Sequence, residues 1–231
     1  MVVSIHQPDY IPWLGLYYKM AHSDAFVYLD DAQYSNEAAH NFNLIKTPQG
    51  ELKLKVPVEY KFGDVINTVR TRDELKWKEK QLKTIKLNYA KAPFFNDFYP
   101  MLEGVILREH QNISEMNMAI NEVICKGFKI EPKIYKSSDM NITTVREERV
   151  INICVALGGD EYLSGNGARV YQTEEHFLDR GVKLTYLDYK PIEYKQIWKN
   201  GFLPCMSAID YIFNCGFDWD YVEQQVKELN K

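Results

Sequence analysis

Residues 1–34 read MVVSIHQPDYIPWLGLYYKMAHSDAFVYLDDAQY, and the order of apolar and polar stretches in them decides the fold class. A short apolar run at 2–5 has the makings of a strand and leads into His6-Gln7-Pro8-Asp9-Tyr10-Ile11-Pro12-Trp13. A helix-like stretch covers 15–21, and a second strand at 25–29 ends in Asp30-Asp31 and Gln33-Tyr34. Two strands joined by a helix predict a right-handed βαβ unit. In such units ligands bind beyond the C-terminal ends of the strands. Both predicted strand ends are dense in polar and aromatic side chains: His6, Gln7, Asp9 and Tyr10 after one, Asp30, Asp31, Gln33 and Tyr34 after the other. The topology therefore predicts a ligand site.

Outward from this opening, residues 41–46 lead to a turn at Thr47-Pro48-Gln49-Gly50 and an alternating strand. There Leu52, Leu54 and Val56 point one way and Lys53 and Lys55 the other, the pattern of a half-buried hairpin or edge strand. Pro57 suits an edge. From 72 to 128 the pattern turns helical. Pro93 breaks a first helix, a second runs to about His110, and Ser114 is read as the cap of a third. The last hundred residues return to strand–helix alternation, with strands expected at 133–135, 161–164 and 182–186 and helices at 146–157 and 173–180. Ser207-Ala208-Ile209-Asp210 reads as a capping box for a helix ending near Gly216. Alternation at both ends predicts an α/β fold, a Rossmann-like, mostly parallel sheet with flanking helices. The helical block at about 72–128 is an insertion or cap within a single domain spanning 1–231.

Composition narrows the function. At 231 residues the chain can bury a substantial core. Hydrophobic residues make up 45% and charged ones 26%, within the range of soluble globular proteins. A net charge of −4 gives no basic footprint for nucleic acid, and the lysines at 76–91 read as a solvated helix face. No apolar run approaches the roughly 20 residues that span a membrane. No secretory signal is read at the start, so a cytoplasmic protein is expected. Cys125, Cys154, Cys205 and Cys215 form no CxxC pair and are expected as free thiols in a reducing compartment. The 16 tyrosines suit sugar or nucleotide binding as well as a Tyr-rich core.

Three constellations carry potential chemistry. His6 at a strand end is suited to proton transfer near neutral pH or to a phosphate contact; its plainer reading is a turn residue beside Pro8. Asp30-Asp31 with Gln33 offers carboxylate to Mg²⁺, or else forms an Asx turn. No HxxxH, HExxH or CxxC spacing supports a zinc site, and no metal site is assigned. Ser164-Gly165-Asn166-Gly167-Ala168-Arg169 follows a strand. There, backbone N–H groups and a helix N-terminus favour an anion, although the same glycines also fit a plain left-handed turn. Ser164 lacks the Gly-x-Ser-x-Gly elbow of a hydrolase nucleophile. Trp13, between Pro12 and Gly15, is placed to stack on a base or sugar, or to plug the first helix.

These residues resemble the WbqC-like family. The likeness rests on His6-Gln7-Pro8-x-Tyr10-x-Pro12-Trp13-x-Gly15, Lys19, Ser23-Asp24-x-Phe26-Val27-x-Leu29-Asp30, Gln33-Tyr34, residues 41–46, Gly50 and Val56-Pro57-Val58. It continues late in the chain with Tyr162-Leu163-Ser164-Gly165, Gly167-Ala168, Tyr171 and Gly181. The resemblance implies a role in bacterial O-antigen, lipopolysaccharide or other surface-polysaccharide biosynthesis. The implied reaction attaches glycine or another acyl group to an amino sugar. The chain departs from the family pattern where Asn41-Phe42-Asn43 replaces Asn-Arg-Asn and where Lys53 replaces a Trp. A weaker likeness joins the opening to that of pantothenate synthetases, which form acyl-adenylates. Trp13-Leu14-Gly15-Leu16 stands where their His-x-Gly-His would be.

The expectation is an N-acyl or aminoacyl transferase acting on a nucleotide-linked amino sugar, with His6 or Asp30 as base. Gln7, Asn43 and the amides near Gly165 and Gly167 would serve as anion donors, alongside Ser164 and Asn166. Tyr10, Trp13 and Tyr34 would hold sugar or base, with Asp9 and Gln33 beside them, and Lys46 and Arg169 would meet phosphate. The donor is left open between ATP with Mg²⁺ and an acyl donor such as acyl-coenzyme A, and so is a homo-oligomer. The rivals are an ATP-dependent amide ligase and a non-catalytic nucleotide-sugar carrier.

Overall fold

The computed structural model describes residues 1–231. In chain order the strands are β1 (Val2–His6), β2 (Ala25–Tyr28), β3 (Phe42–Thr47), β4 (Gly50–Lys55), β5 (Val58–Glu59), β6 (Arg70–Thr71), β7 (Lys133–Lys136), β8 (Glu161–Ser164) and β9 (Lys183–Tyr186). The α-helices are α1 (Leu14–Ala21), α2 (Trp77–Tyr89), α3 (Phe95–Leu107), α4 (Ile113–Phe128), α5 (Arg146–Ala156), α6 (Glu174–Leu178), α7 (Ala208–Cys215) and α8 (Trp219–Leu229). The chain forms two compact units, one from Met1–Gln7, Leu16–Ala32 and Ile130–Tyr189, the other from Pro8–Gly15, Gln33–Lys129 and Lys190–Lys231.

The first unit is the α/β body. Its sheet runs in the order β7-β2-β1-β8-β9, and every neighbouring pair is parallel. All of β2 and the centre of β1 are buried, as expected of parallel strands covered on both faces. Val3, Ile5, Ala25, Val27, Cys154, Tyr162 and Phe177 belong to one core cluster. The edge strand β7 is short and carries Lys133 and Lys136, which discourages pairing with another chain. The predicted βαβ opening and Rossmann-like fold are present.

The second unit holds two hairpins, β3–β4 and β5–β6, together with α2, α3, α4, α7 and α8. Its core is aromatic. Phe213 packs on Tyr89, Phe95 and Phe98, and Phe217 stands edge-on to Phe98 and Phe128. Gly127 makes this packing fit: a Cβ there would lie 2.1 Å from Phe217 Cε1. We expect Gly127→Ala to lower stability by about 1–2 kcal/mol, because overpacking outweighs the better helix propensity of alanine. Thermal melts check this, and a higher melting temperature in the variant would refute it.

Two helix starts differ from expectation. The cap of α4 is Asn112, whose Oδ1 accepts the Glu115 N–H at 2.9 Å, while Glu115 Oε2 accepts the Gln111 N–H at 2.6 Å. Ser114 lies inside the first turn and is buried. Residues 207–210 form no capping box. The Ser207 hydroxyl donates to the Ile11 carbonyl at 2.7 Å, and the Asp210 carboxylate turns into the core. At α4 a neighbouring residue takes the capping role, whereas at α7 buried partners far along the chain outcompete the local cap. No helix is long and apolar enough to cross a membrane. None of the four cysteines is in a disulfide, and burial pushes the thiols of Cys125 and Cys154 up to about 12.

Candidate functional site

The strand order of the first unit fixes where a ligand can enter. The chain lays down β1, β2 and β7 outward on one side, then returns to place β8 and β9 on the other side of β1. The reversal between β1 and β8 is the topological switch point at which open α/β sheets bind ligands. Here the two strands also part. They pair only at Val2–Glu161 and Val3–Tyr162, whereas β1–β2 pairing continues to His6–Tyr28 and β8–β9 pairing to Ser164–Tyr186.

His6 and Gln7 end one side of this crevice. The His6 ring is half-buried and its Nδ1 lies 2.8 Å from the Gln7 carbonyl. A carbonyl only accepts, so Nδ1 carries the proton and Nε2 is the basic nitrogen of the neutral ring. Residues 164–169 end the other side. Asn166 donates Nδ2–H to the Leu187 carbonyl at 2.7 Å and accepts Arg169 Nε–H at 3.2 Å. The Arg169 guanidinium lies 4.0 Å from the centre of the Tyr186 ring. An exposed arginine is thus held between an asparagine and an aromatic face at the ends of β8 and β9.

The glycine loop works differently from the sequence expectation. Gly165 has φ −76° and ψ 147°, and Gly167 also lacks a positive φ, so neither forms a left-handed turn. The helix that follows is a five-residue 3₁₀ turn, too short to present a useful dipole. Ser164 is buried, with its hydroxyl donating to Gln172 Oε1 at 2.7 Å. The cationic side chain of the loop is Arg169, which adds to whatever its backbone amides offer an anion. Sequence reading passed over Tyr186 and Gln172, which hold this loop from outside its motif.

Asp30 and Asp31 tie the end of β2 to β7 and α5, on the side of β1 away from the switch point. Asp30 is buried and accepts from the Ser138 N–H at 3.0 Å, the Ser138 hydroxyl at 2.7 Å and the Ser137 hydroxyl at 3.3 Å. Asp31 pairs with Arg149 at 2.5 Å and accepts from Ser137. Burial pushes the Asp31 carboxyl up, but Ser137 and Arg149 outweigh it and hold the group below its usual range. The geometry gives Asp30 a fastening role, in place of the base expected from sequence. No group of three or more His, Cys, Asp or Glu side chains is placed to hold a metal ion.

The remaining sequence candidates lie in the second unit. Tyr10 is 0% exposed and donates its hydroxyl to Gln81; desolvation raises its pKa. Lys46 is 1% exposed, and its ammonium donates to the carbonyls of Trp198, at 2.8 Å, and Gly201. Neither is placed as expected for a ligand contact: both are buried framework. Asn43 braces the backbone, donating to the Tyr10 carbonyl at 3.2 Å and accepting from the Leu44 N–H at 2.8 Å. Tyr34 is buried against His40 and Tyr60, and burial pushes its phenol up to about 12. Gln33 is exposed and its backbone bridges to Val65.

Asp9 Oδ1 lies 3.4 Å from Nδ1 of His40, a fully buried histidine that sequence reading overlooked. Trp13 is 37% exposed and lies across Gly15, where a Cβ would come within 2.6 Å of its ring. Its indole therefore covers the first turn of α1 while one part stays at the surface.

The uncharacterized protein Rv1507c of Mycobacterium tuberculosis is 34% identical over 218 residues, covering 93% of this chain and 94% of that protein. No solved structure matches the chain. The family described as WbqC-like matches residues 7–220, from the end of β1 into α8, and the chain belongs to the WbqC-like protein family.

Proposed function

We propose that this protein is an N-acyl or aminoacyl transferase acting on the amino group of a nucleotide-linked sugar in surface-polysaccharide (O-antigen) biosynthesis in the cytoplasm. The nucleotide end of the acceptor binds at the β1/β8 switch point. The single observation that carries this reading is the reversal of strand order beside parted strands; Arg169, braced on Tyr186 at the ends of β8 and β9, supports it. An arginine so held suits a diphosphate, since its fork of donors matches phosphate oxygens.

In the reaction the sugar nitrogen attacks the acyl carbonyl carbon. The new C–N bond forms, the bond to the donor's leaving group breaks, and the amine gives up a proton. His6 Nε2, at the end of β1, is the group suited to take that proton. Gln7 and the amides of Gly165 and Gly167 are candidates to donate to the developing oxyanion. Asp30 supports the site by fixing the end of β2.

Thermal melts with dTDP- and UDP-amino sugars, ATP with Mg²⁺, and coenzyme A, each alone, test this reading. A nucleotide sugar at 100 times its Kd should stabilise the protein by about 2.7 kcal/mol. Arg169→Ala should weaken that binding roughly tenfold, while the free protein melts as before because the side chain is exposed. A shift with ATP alone would replace the transferase by an ATP-dependent ligase. No shift with any ligand would sink the reading. If turnover is then found, His6→Ala should lower it by about 10²–10⁴-fold; ligand binding without turnover would leave a nucleotide-sugar carrier.

A further inference from the structure

Lys19, in the last turn of α1, is 4% exposed, and its ammonium donates to the Ile5 carbonyl at 2.8 Å. The direction of that carbonyl locates the charge. The carbonyls of Val2 and His6 face β2, accepting from Asp24 N–H at 2.9 Å and Leu29 N–H at 2.8 Å, while that of Met1 faces the β8 side, accepting from Asp160 N–H at 3.2 Å. Alternation along the strand turns the Ile5 carbonyl toward β8 as well. It lies past the last β1–β8 pair, where β8 has moved away. The lysine thus satisfies a carbonyl that the parted strands leave open.

The surroundings put the ammonium inside the gap. The chain around α1 contacts the Ser4 face of β1, through a hydroxyl pair between Ser4 and Ser23, and the Ser23 hydroxyl donates to the Lys19 carbonyl. Tyr162 and Cys154 belong to the core cluster on the opposite, Val3–Ile5 face. Even so, the Lys19 ammonium lies 5.9 Å from the Tyr162 ring. A side chain rooted on one face senses the other because it reaches between the strands. Its one hydrogen bond goes to a neutral acceptor, and no carboxylate balances it.

We propose that Lys19 completes an anion site in the β1/β8 crevice: a phosphate or sulfate group entering between the strands pairs with its ammonium. The proposal rests on the nucleotide reading for the identity of the ligand, but the anion chemistry stands apart from it. Burial lowers the Lys19 pKa to about 7. The titratable groups facing it, Cys154 from α5 and Tyr162 from β8, are held neutral by burial, each pushed up to about 12. A negative ligand is then the group that restores the charge.

Isothermal titration calorimetry at pH 8 in buffers of different ionisation enthalpy tests this on the whole protein. The probes are UDP-N-acetylglucosamine and, separately, sulfate, neither of which titrates near that pH. Wild type should take up close to one proton (~0.9) per ligand, because a group with a pKa near 7 is mostly neutral at pH 8. Lys19→Met should take up none and bind about 10–100-fold more weakly. Uptake with sulfate but no binding of the nucleotide sugar would uphold Lys19 and remove the nucleotide reading. Equal uptake in variant and wild type, or no binding of either anion, would overturn the proposal. Should the variant fail to fold, ¹³Cε NMR of wild-type lysines decides. One resonance should titrate near neutrality and move to higher pH with sulfate, and a spectrum in which none does so would refute the proposal.

Discussion

Asp210→Ala is expected to lower stability by about 3–5 kcal/mol, the cost of breaking a buried charge network by removing one partner. That is a fall in melting temperature of about 10–15 °C for a chain of this size. Asp210 lies at the start of α7 with its carboxylate fully inside the second unit. It accepts from Tyr89 Oη–H at 2.5 Å, Tyr194 Oη–H at 2.7 Å and Gln196 Nε2–H at 2.8 Å. The Tyr89 oxygen in turn accepts the backbone N–H of Lys46 at 3.1 Å, and the Lys46 charge lies close enough to favour the carboxylate. Alanine would leave three donors without their acceptor and remove the charge nearest to the buried Lys46 ammonium, which keeps its carbonyl partners. Asp210→Asn keeps the shape and one oxygen, so its loss should be intermediate.

The pH dependence separates the charge of Asp210 from its shape. Burial raises the Asp210 pKa more than Tyr89, Tyr194, Gln196 and Lys46 lower it. A raised carboxyl pKa means the folded chain holds its proton more tightly than the unfolded one. That contribution to stability is complete below the unfolded value, 3.8, and is lost as pH rises through the folded pKa. The Ala and Asn variants should both lack this slope, while Asn retains part of the packing. Urea titrations of the three proteins from pH 4 to 7 check it. An Ala variant as stable as wild type at pH 7 would show that the network holds nothing together.

That network explains which parts of the fold can be read from local sequence. The βαβ opening was legible because apolar runs and polar strand ends alternate within 34 residues, and β1, α1 and β2 form where that alternation places them. The helical block is legible from the spacing of its own apolar residues and the break at Pro93. Lys46 was misread because its partners, the carbonyls of Trp198 and Gly201, lie more than 150 residues away in a segment without regular structure. A lysine in the 41–46 stretch looks like a phosphate ligand until a distant segment covers it. Tyr10 failed likewise, since Gln81 of α2 takes its hydroxyl. Ser207 and Asp210 have cap-like spacing, but long-range partners claim both side chains.

For the candidate site, the sequence points equally to the ends of β1 and β2. Consecutive strands looked like the two walls of the site. The strand order, which sequence periodicity does not reveal, puts the crevice between β1 and β8. The Ser164–Arg169 stretch is singled out in the sequence both for its glycines and for Arg169 as a phosphate contact, and the structure sets Arg169 on Tyr186. Tyr186 is the last residue of a strand that pairs with β8, a relation fixed by the sheet alone.

Lys19→Met is expected to make the protein more stable at neutral pH and less stable at high pH, with the two stability curves crossing between. In wild type, burial lowers the ammonium pKa from 10.5 to about 7. Between those values the unfolded chain holds a proton that the folded chain has released. Stability therefore rises with pH across that window and is lost as pH falls toward 7. The full span amounts to on the order of 4–5 kcal/mol, at about 1.4 kcal/mol per pH unit. Methionine fills a similar volume without a charge, so it escapes this cost. It also gives up the hydrogen bond to Ile5, leaving a buried carbonyl at a cost of about 1–3 kcal/mol. The variant should be about 2 kcal/mol more stable than wild type at pH 7. At pH 10, where the neutral amine still donates to Ile5, it should be about 1 kcal/mol less stable. Chemical denaturation of both proteins from pH 6 to 10 measures the difference, from which titrations common to the two cancel. A difference that stays flat across that range would mean that Lys19 keeps its proton in the folded state. A crossing would mean that the first unit carries a buried amine whose charge costs stability at neutral pH, at the point in the sheet where β1 and β8 part.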